Sequence, residues 1–261
     1  MPDPPVTQTT YPTASDFNHH FDPKEYLREM FGAPDDEDHF SLFFMARVLN
    51  SLPDNLFIHE FGGGPTLYSV AALARKAREI HFSDVVDASL QEVRAWLTGR
   101  PKTHDWTPYI ALALEAEGSA VTKTAVAERA ALMRKVLSHL MHCDAQKNPP
   151  IELGNIQYDL VTAHHCTDVA ATNIDEWQKV IKNVTTIVRP GGWLMLSVTT
   201  GARTYEVGDV IFKCVDLTKE DIQKGLLAAG YLKESIILET YDTVEQPREY
   251  AGIIMALALR Q

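Results

Sequence analysis

The chain has 261 residues, a formal net charge of −11, 45% hydrophobic residues and three cysteines. That length suits one elaborated α/β domain or two small ones, and the acidic balance argues against nucleic acid as a partner, because phosphate contacts need a basic face. No apolar run reaches the roughly 18 residues of a membrane span, the start Met1-Pro2-Asp3-Pro4-Pro5 lacks a secretory pattern, and the scattered thiols Cys143, Cys166 and Cys214 point to a reducing, cytoplasmic setting.

Residues 1–16 are rich in Pro, Thr and Asp and show no apolar period. A helix is predicted over 22–32, with Asp22 as cap, Pro23 in the first turn and Gly32 as stop. The stretch Ala33-Pro34-Asp35-Asp36-Glu37-Asp38 reads as an acidic loop. A helix over 40–52 follows, with Phe40, Phe43, Phe44 and Val48 at helical spacing, and it ends at Pro53. The first strand is expected at 56–61, its helix at 66–77 and the second strand at 79–83. Helices follow at 88–97, 106–117 and 121–138, then a third strand at 138–143 and a fourth at 157–163 that runs into His164-His165. A helix over 174–188 and the turn Arg189-Pro190-Gly191-Gly192 lead into a fifth strand, 193–198. Beyond it lie a hairpin-like excursion over 203–216 around Gly208, a helix over 219–229 capped by Thr218, and two strands at 231–241 and 250–259. Strands alternating with helices make a doubly wound α/β domain.

The chemistry concentrates in Phe57-Ile58-His59-Glu60-Phe61-Gly62-Gly63-Gly64-Pro65-Thr66, followed by Ser83-Asp84. An apolar run ends in a carboxylate and three glycines, where the backbone can approach a ligand. A second run ends in Asp84, placed to accept from ribose hydroxyls. A dinucleotide loop wants a third small residue where Leu67 stands, and no Gly-Lys-Ser/Thr follows as a P-loop requires. Glu60 beside the loop repels phosphate and suits a cation. S-adenosylmethionine, an adenosyl sulfonium, meets these constraints better than NAD.

Finer motifs surround that loop: Phe21-Asp22-Pro23-Lys24-Glu25-Tyr26-Leu27, Gly64-Pro65-Thr66-Leu67-Tyr68, Trp96-Leu97 with Asp105-Trp106-Thr107-Pro108, Cys143-Asp144, Tyr205 with Gly208, and Ala228-Ala229-Gly230-Tyr231. Over about residues 17–259 the chain resembles the nicotinamide, phenylethanolamine and thioether (indolethylamine) methyltransferase family. The resemblance implies a Rossmann-like class I methyltransferase fold, with a seven-stranded, mainly parallel sheet, an antiparallel last strand and an N-terminal helical cap. It divides the chain into a cap, 1–53, and a cofactor domain, 54–261. It also implies cofactor contacts from Tyr26, Glu60, Gly62, Gly63, Gly64, Thr66, Tyr68, Asp84, Ser89, Asp144, Ala145 and His164. Ser89 stands where the family usually shows Asn. Family members acting on nicotinamide carry an acid and a serine where this chain has Val198 and Cys214, so nicotinamide is not the expected substrate. Met30 and Phe31 replace a tyrosine pair.

Phe31, Val198, Tyr205, Cys214 and Glu249 are the expected substrate contacts. Glu206 and Glu245 are expected near the same rim, and Tyr11 and Phe17 above the cofactor. His164 and His165 are the candidates for acid–base work, since imidazole titrates near neutral pH. His164-His165-Cys166 with His139 or His142 matches no common zinc spacing, so no metal is expected. His19-His20 reads as a surface pair. The expected function is methyl transfer to an amine or heteroaromatic nitrogen of a small molecule, by a monomer without membrane or nucleic-acid partners. S- or O-methyl transfer to an apolar substrate, and a non-catalytic binding protein of the same fold, remain the alternatives.

Overall fold

The computed structural model describes residues 17–152, 154–243 and 250–261. Nine strands follow in chain order: β1 (Leu56–Phe61), β2 (Ala77–Asp84), β3 (Leu137–His142), β4 (Tyr158–His164), β5 (Val188–Thr200), β6 (Thr204–Val207), β7 (Val210–Lys213), β8 (Ile237–Asp242) and β9 (Gly252–Leu259). Seven of them form one sheet in the order β3-β2-β1-β4-β5-β9-β8, while β6 and β7 pair as a separate hairpin. β1 to β5 run parallel, and β9 lies antiparallel to both β5 and β8. The order turns back between β1 and β4, which opens a crevice at their carboxyl ends.

β1 is almost wholly buried, which is why it reads as a near-continuous apolar run and not as an alternation. β9, Gly-Ile-Ile-Met-Ala-Leu-Ala-Leu, is inside the sheet for the same reason. β5 begins earlier than expected, at Val188, and its register against β4 shifts between Tyr158 and Leu160 at the Pro-Gly-Gly turn.

Three helices, α1 (Phe17–His20), α2 (Pro23–Met30) and α3 (Asp36–Ser51), precede the sheet. Six more surround it: α4 (Tyr68–Leu73), α5 (Asp87–Leu97), α6 (Thr107–Ala116), α7 (Lys123–Val136), α8 (Ile174–Thr185) and α9 (Lys219–Ala228). α2 starts as its caps dictate: the Asp22 side chain accepts from the amides of Lys24 and Glu25, with Pro23 in the first turn. α3 starts before the expected residue 40. Asp35 accepts from the amides of Glu37 and Asp38, and Asp38 accepts in return from the amide of Asp35. This capping box turns the acidic stretch into a helix start, and the acids of the first turn suit the positive end of the helix dipole. α4 is shorter than the predicted 66–77, because β2 already begins at Ala77.

Each face of the sheet has its own core. Leu27 of α2, Phe31 just beyond it, and Leu42 and Leu49 of α3 join Ile58, Leu73 and Tyr109 in one. Trp177 and Val180 of α8 and Leu226 of α9 pack with Val161 and Leu196 in the other. The segment ahead of Pro53 therefore shares a core with the sheet.

Candidate active site

A cavity of about 760 Å³ lies over the carboxyl ends of β1 to β5. Its floor comes from Phe61 to Gly64, Asp84 to Val86, His142 to Gln146, His164 to Cys166 and Asp168. Its roof comes from the cap (Phe17, Tyr26, Phe31, Asp38) together with Thr204, Tyr205 and Tyr250. Seven carboxylates line it (Glu29, Asp35, Glu37, Asp38, Asp84, Asp144, Asp168), and no Lys or Arg does so among the described residues.

The glycine loop is built around Asp84. Its Oδ2 accepts from the Gly64 amide at 2.8 Å and its Oδ1 from the Val86 amide at 2.8 Å. Burial raises its carboxyl to about 6, against the pull of those two donors. Each oxygen keeps a lone pair for a further donor. Gly62 and Gly64 have left-handed φ values of 64° and 60°. A Cβ on Gly62 would lie 2.6 Å from the Cys166 side chain, whereas one on Gly64 would meet nothing within 4 Å. The expectation that the glycines make room for a ligand therefore fits Gly64. At Gly62 and Gly63 the room is already taken by Cys166 and by the Phe82 ring.

The strand end and loop after β4 supply the polar groups of the opposite wall. His164 Nδ1 sits 3.3 Å from Ser197 Oγ, and its buried Nε2 has no hydrogen-bond partner among the described residues. Burial pushes this imidazole down to about 3, so it is neutral near pH 7 and a weak proton acceptor. His165 has a left-handed φ of 48°, and its amide donates to the Ser197 carbonyl at 2.9 Å. Asp168 is fully buried at 0% exposure. Its Oδ2 accepts from the Thr199 amide and hydroxyl at 3.0 and 2.9 Å, while its Oδ1 has no partner among the described residues.

The roof is aromatic and is pinned from several sides. The Phe31 ring lies 5.5–5.7 Å from the rings of Tyr26, Tyr68, Trp106 and Tyr109. Phe17 stacks on Phe212 at 5.0 Å, and Tyr205 stacks on Phe212 at 5.2 Å. Asn18 donates to the Val85 carbonyl at 2.8 Å and accepts from the Asp87 amide at 3.0 Å. The Gly208 amide donates to Glu29 at 3.0 Å, which ties the β6–β7 hairpin to α2. Asp38 accepts from the Tyr109 hydroxyl at 3.1 Å, and burial raises its carboxyl to about 6.

The cavity brings together Tyr26, Phe31, Gly62, Gly63, Gly64, Thr66, Tyr68, Asp84, Asp144, Ala145, His164, His165 and Tyr205. Four other expected contacts are not among the residues that line it. Glu60 is 1% exposed and turns under the loop to accept from Thr162. Ser89 is buried in the first turn of α5. Val198 packs in the core with the α8 and α9 side chains. Cys214 is buried beside the hairpin, its amide bonded to the Arg203 carbonyl at 3.0 Å. Glu206, His19 and His20 are exposed away from the cavity. Glu245, Glu249 and Tyr11 lie outside the described residues. Sequence reasoning missed Asp168, Asn18 and Asp38. Asp168 had one signal, a carboxylate just past the end of the fourth strand, where doubly wound folds place ligands.

Among the described residues no helix is long and apolar enough to cross a membrane. A family model described as the NNMT/PNMT/TEMT family matches residues 9–261. The chain is 28% identical to indolethylamine N-methyltransferase of Oryctolagus cuniculus, covering 92% of this chain and 94% of that one. It is 25% identical to nicotinamide N-methyltransferase of Homo sapiens, with 86% and 88% covered. Among solved structures, magnesium protoporphyrin IX methyltransferase of Synechocystis PCC 6803 with bound S-adenosylmethionine aligns with a TM-score of 0.53 at 17% identity, covering 95% of this chain and 94% of that one.

Proposed function

The chain belongs to the NNMT/PNMT/TEMT family of S-adenosylmethionine-dependent methyltransferases, and we propose that it methylates the nitrogen of a small amine held against Asp168. The cavity suits the cofactor in three respects. Gly64 leaves open space where a Cβ would project. Asp84 is fixed by two backbone donors and keeps lone pairs for ribose hydroxyls. The seven carboxylates, with no lining Lys or Arg among the described residues, favour a cation over a phosphate. S-adenosylmethionine supplies a methyl group already activated on a positive sulfur.

The chain's own residues then bind, orient and exclude water. Asp84 would hold the ribose. Asp144 and Ala145 would border the adenine. The Gly62–Gly64 backbone, Thr66, Tyr26 and Tyr68 would hold the methionine end. Phe31 and Tyr205 wall the substrate side with apolar surface, and the cap and hairpin close over both ligands. In-line displacement draws much of its rate from such positioning.

The observation that carries the amine reading is Asp168, a cavity-lining residue whose buried Oδ1 has no hydrogen-bond partner among the described residues. A buried carboxylate oxygen left without a donor calls for a cationic or N–H partner. Asp168 pairs with the incoming ammonium and accepts its proton at Oδ1, which frees the nitrogen lone pair. His164, held neutral by burial, serves as a hydrogen-bonding wall and not as the base. The three free thiols support a cytoplasmic setting, and the net charge of −11 argues against a nucleic-acid partner.

Asp168→Asn tests this. The variant is expected to bind S-adenosylhomocysteine as the parent does in calorimetry, and to lose about 10²–10⁴-fold in kcat/KM on amines. Unchanged turnover across an amine panel would remove Asp168 from the mechanism.

A further inference from the structure

At the far end of β2 from Asp84, a second group of ligand-bearing side chains converges. Glu79 and His81 are two apart on β2, so they share one face of the sheet. His139, on the edge strand β3, is the register partner of His81. Glu79 Oε1 lies 3.2 Å from His81 Nε2 and 3.6 Å from His139 Nδ1. One ligand atom from each residue falls within 4.8 Å of the others. A tetrahedral ion with bonds of about 2.0–2.1 Å holds neighbouring ligand atoms about 3.3 Å apart, and both measured separations lie close to that edge.

The surroundings are those of a supported site. His81 Nδ1 lies 2.9 Å from the Tyr158 hydroxyl, so Nδ1 has its own partner and Nε2 is left to face Glu79. That is the outer hydrogen bond that fixes the orientation of a metal-ligating histidine. The His81 ring is held edge-on by Phe57 at 4.8 Å. The Ser138 hydroxyl donates to Glu79 Oε1 at 2.6 Å and orients the carboxylate. Ser138 Oγ also lies 2.8 Å from His139 Nδ1, and an ion would take the place of the proton shared there. The Glu79 and His139 side chains are 37% and 59% exposed, so an ion has a path in from solvent and water can complete its shell.

We propose that Glu79, His81 and His139 form a binding site for a borderline divalent metal ion such as zinc, remote from the methyl-transfer cavity. Two imidazoles and one carboxylate select that class over hard, all-oxygen cations. None of the three residues lines the cavity. The ion would clamp β3 to β2. β3 continues through His142 into Cys143 and Asp144 at the cavity rim, so the clamp would steady the strand that carries Asp144.

The test uses the full chain, reduced and stripped with chelator, then titrated with Co²⁺ as an optical probe and back-titrated with Zn²⁺. The expected result is one equivalent of cobalt with the visible absorption of a tetrahedral N/O site, displaced by zinc. His139→Gln should weaken binding by about tenfold or more, and Glu79→Gln should do the same, while the surface control His20→Gln should leave it unchanged. His139 is exposed on an edge strand, so its replacement leaves the core intact. Absence of a stoichiometric site overturns the proposal. So does a thiolate-to-cobalt charge-transfer band, which would place the ion on cysteine, or affinity unaffected by His139→Gln.

Discussion

Asp84 and Glu60 sit at or near the ends of adjacent strands, both nearly stripped of water, yet only Asp84 faces the cavity. Burial raises Glu60 to about 7 from its ordinary 4.5, even though Thr162 donates to it. A carboxyl raised in the fold binds its proton more tightly when folded than when unfolded. Its protonation therefore stabilises the fold fully below about pH 4.5, and that contribution is lost as pH rises through about 7. Glu60→Gln mimics the protonated form. It is expected to raise the melting temperature at pH 8 and to change it little at pH 4.5. An equal shift at both pH values would show that Glu60 does not carry this linkage. Asp84 has the same sign, with its loss centred near 6, so cofactor recognition sits on a residue that costs the ligand-free fold some stability near neutrality.

At the scale of elements, the cap is a roof held by a few identifiable contacts. α1 reaches the loop after β2 through Asn18, which both donates to Val85 and accepts from Asp87. The β6–β7 hairpin holds the same helix through the Phe17–Phe212 stack. Asn18 is exposed and also lines the cavity. Asn18→Ala removes two hydrogen bonds worth about 1 kcal/mol each. The KM for S-adenosylmethionine is expected to rise about tenfold, with the melting temperature lowered by a few degrees. A KM equal to that of the parent would mean that the roof is held without Asn18.

For the whole molecule, the sign of the charge matters more than its count. The net charge of −11 extends into a cavity lined by seven carboxylates. Such a field concentrates cations at the mouth and is screened by salt over about 8 Å at physiological ionic strength. The KM of a cationic amine is expected to rise with added salt, and that of an uncharged acceptor to stay flat. A salt-independent KM for the amine would place its recognition in contacts alone and not in the field.

Much of the frame was legible before folding because its signals are local. A buried parallel strand reads as an apolar run, so β1 lies where the run Leu56 to Phe61 put it. Asp22-Pro23 and Thr218 start helices through bonds to amides two or three residues away. The Asp35–Asp38 box is equally local and could have been read from its spacing. The mainly parallel sheet with an antiparallel last strand was implied by the family resemblance, and the glycine loop with Asp84 marked the ligand end of the sheet. Where each side chain points was settled only in three dimensions. Cys166 fills the space in front of Gly62, Thr162 draws Glu60 under the floor, and Thr199 positions Asp168 while its buried Oδ1 stays without a partner among the described residues. Each of these depends on a partner far along the chain, and so does the degree of burial that lowers His164 to about 3. The chain alone determined backbone conformation and period, because those arise from neighbours within a turn. Desolvation and partner choice required the tertiary structure, because they arise from whatever distant residues the fold brings alongside.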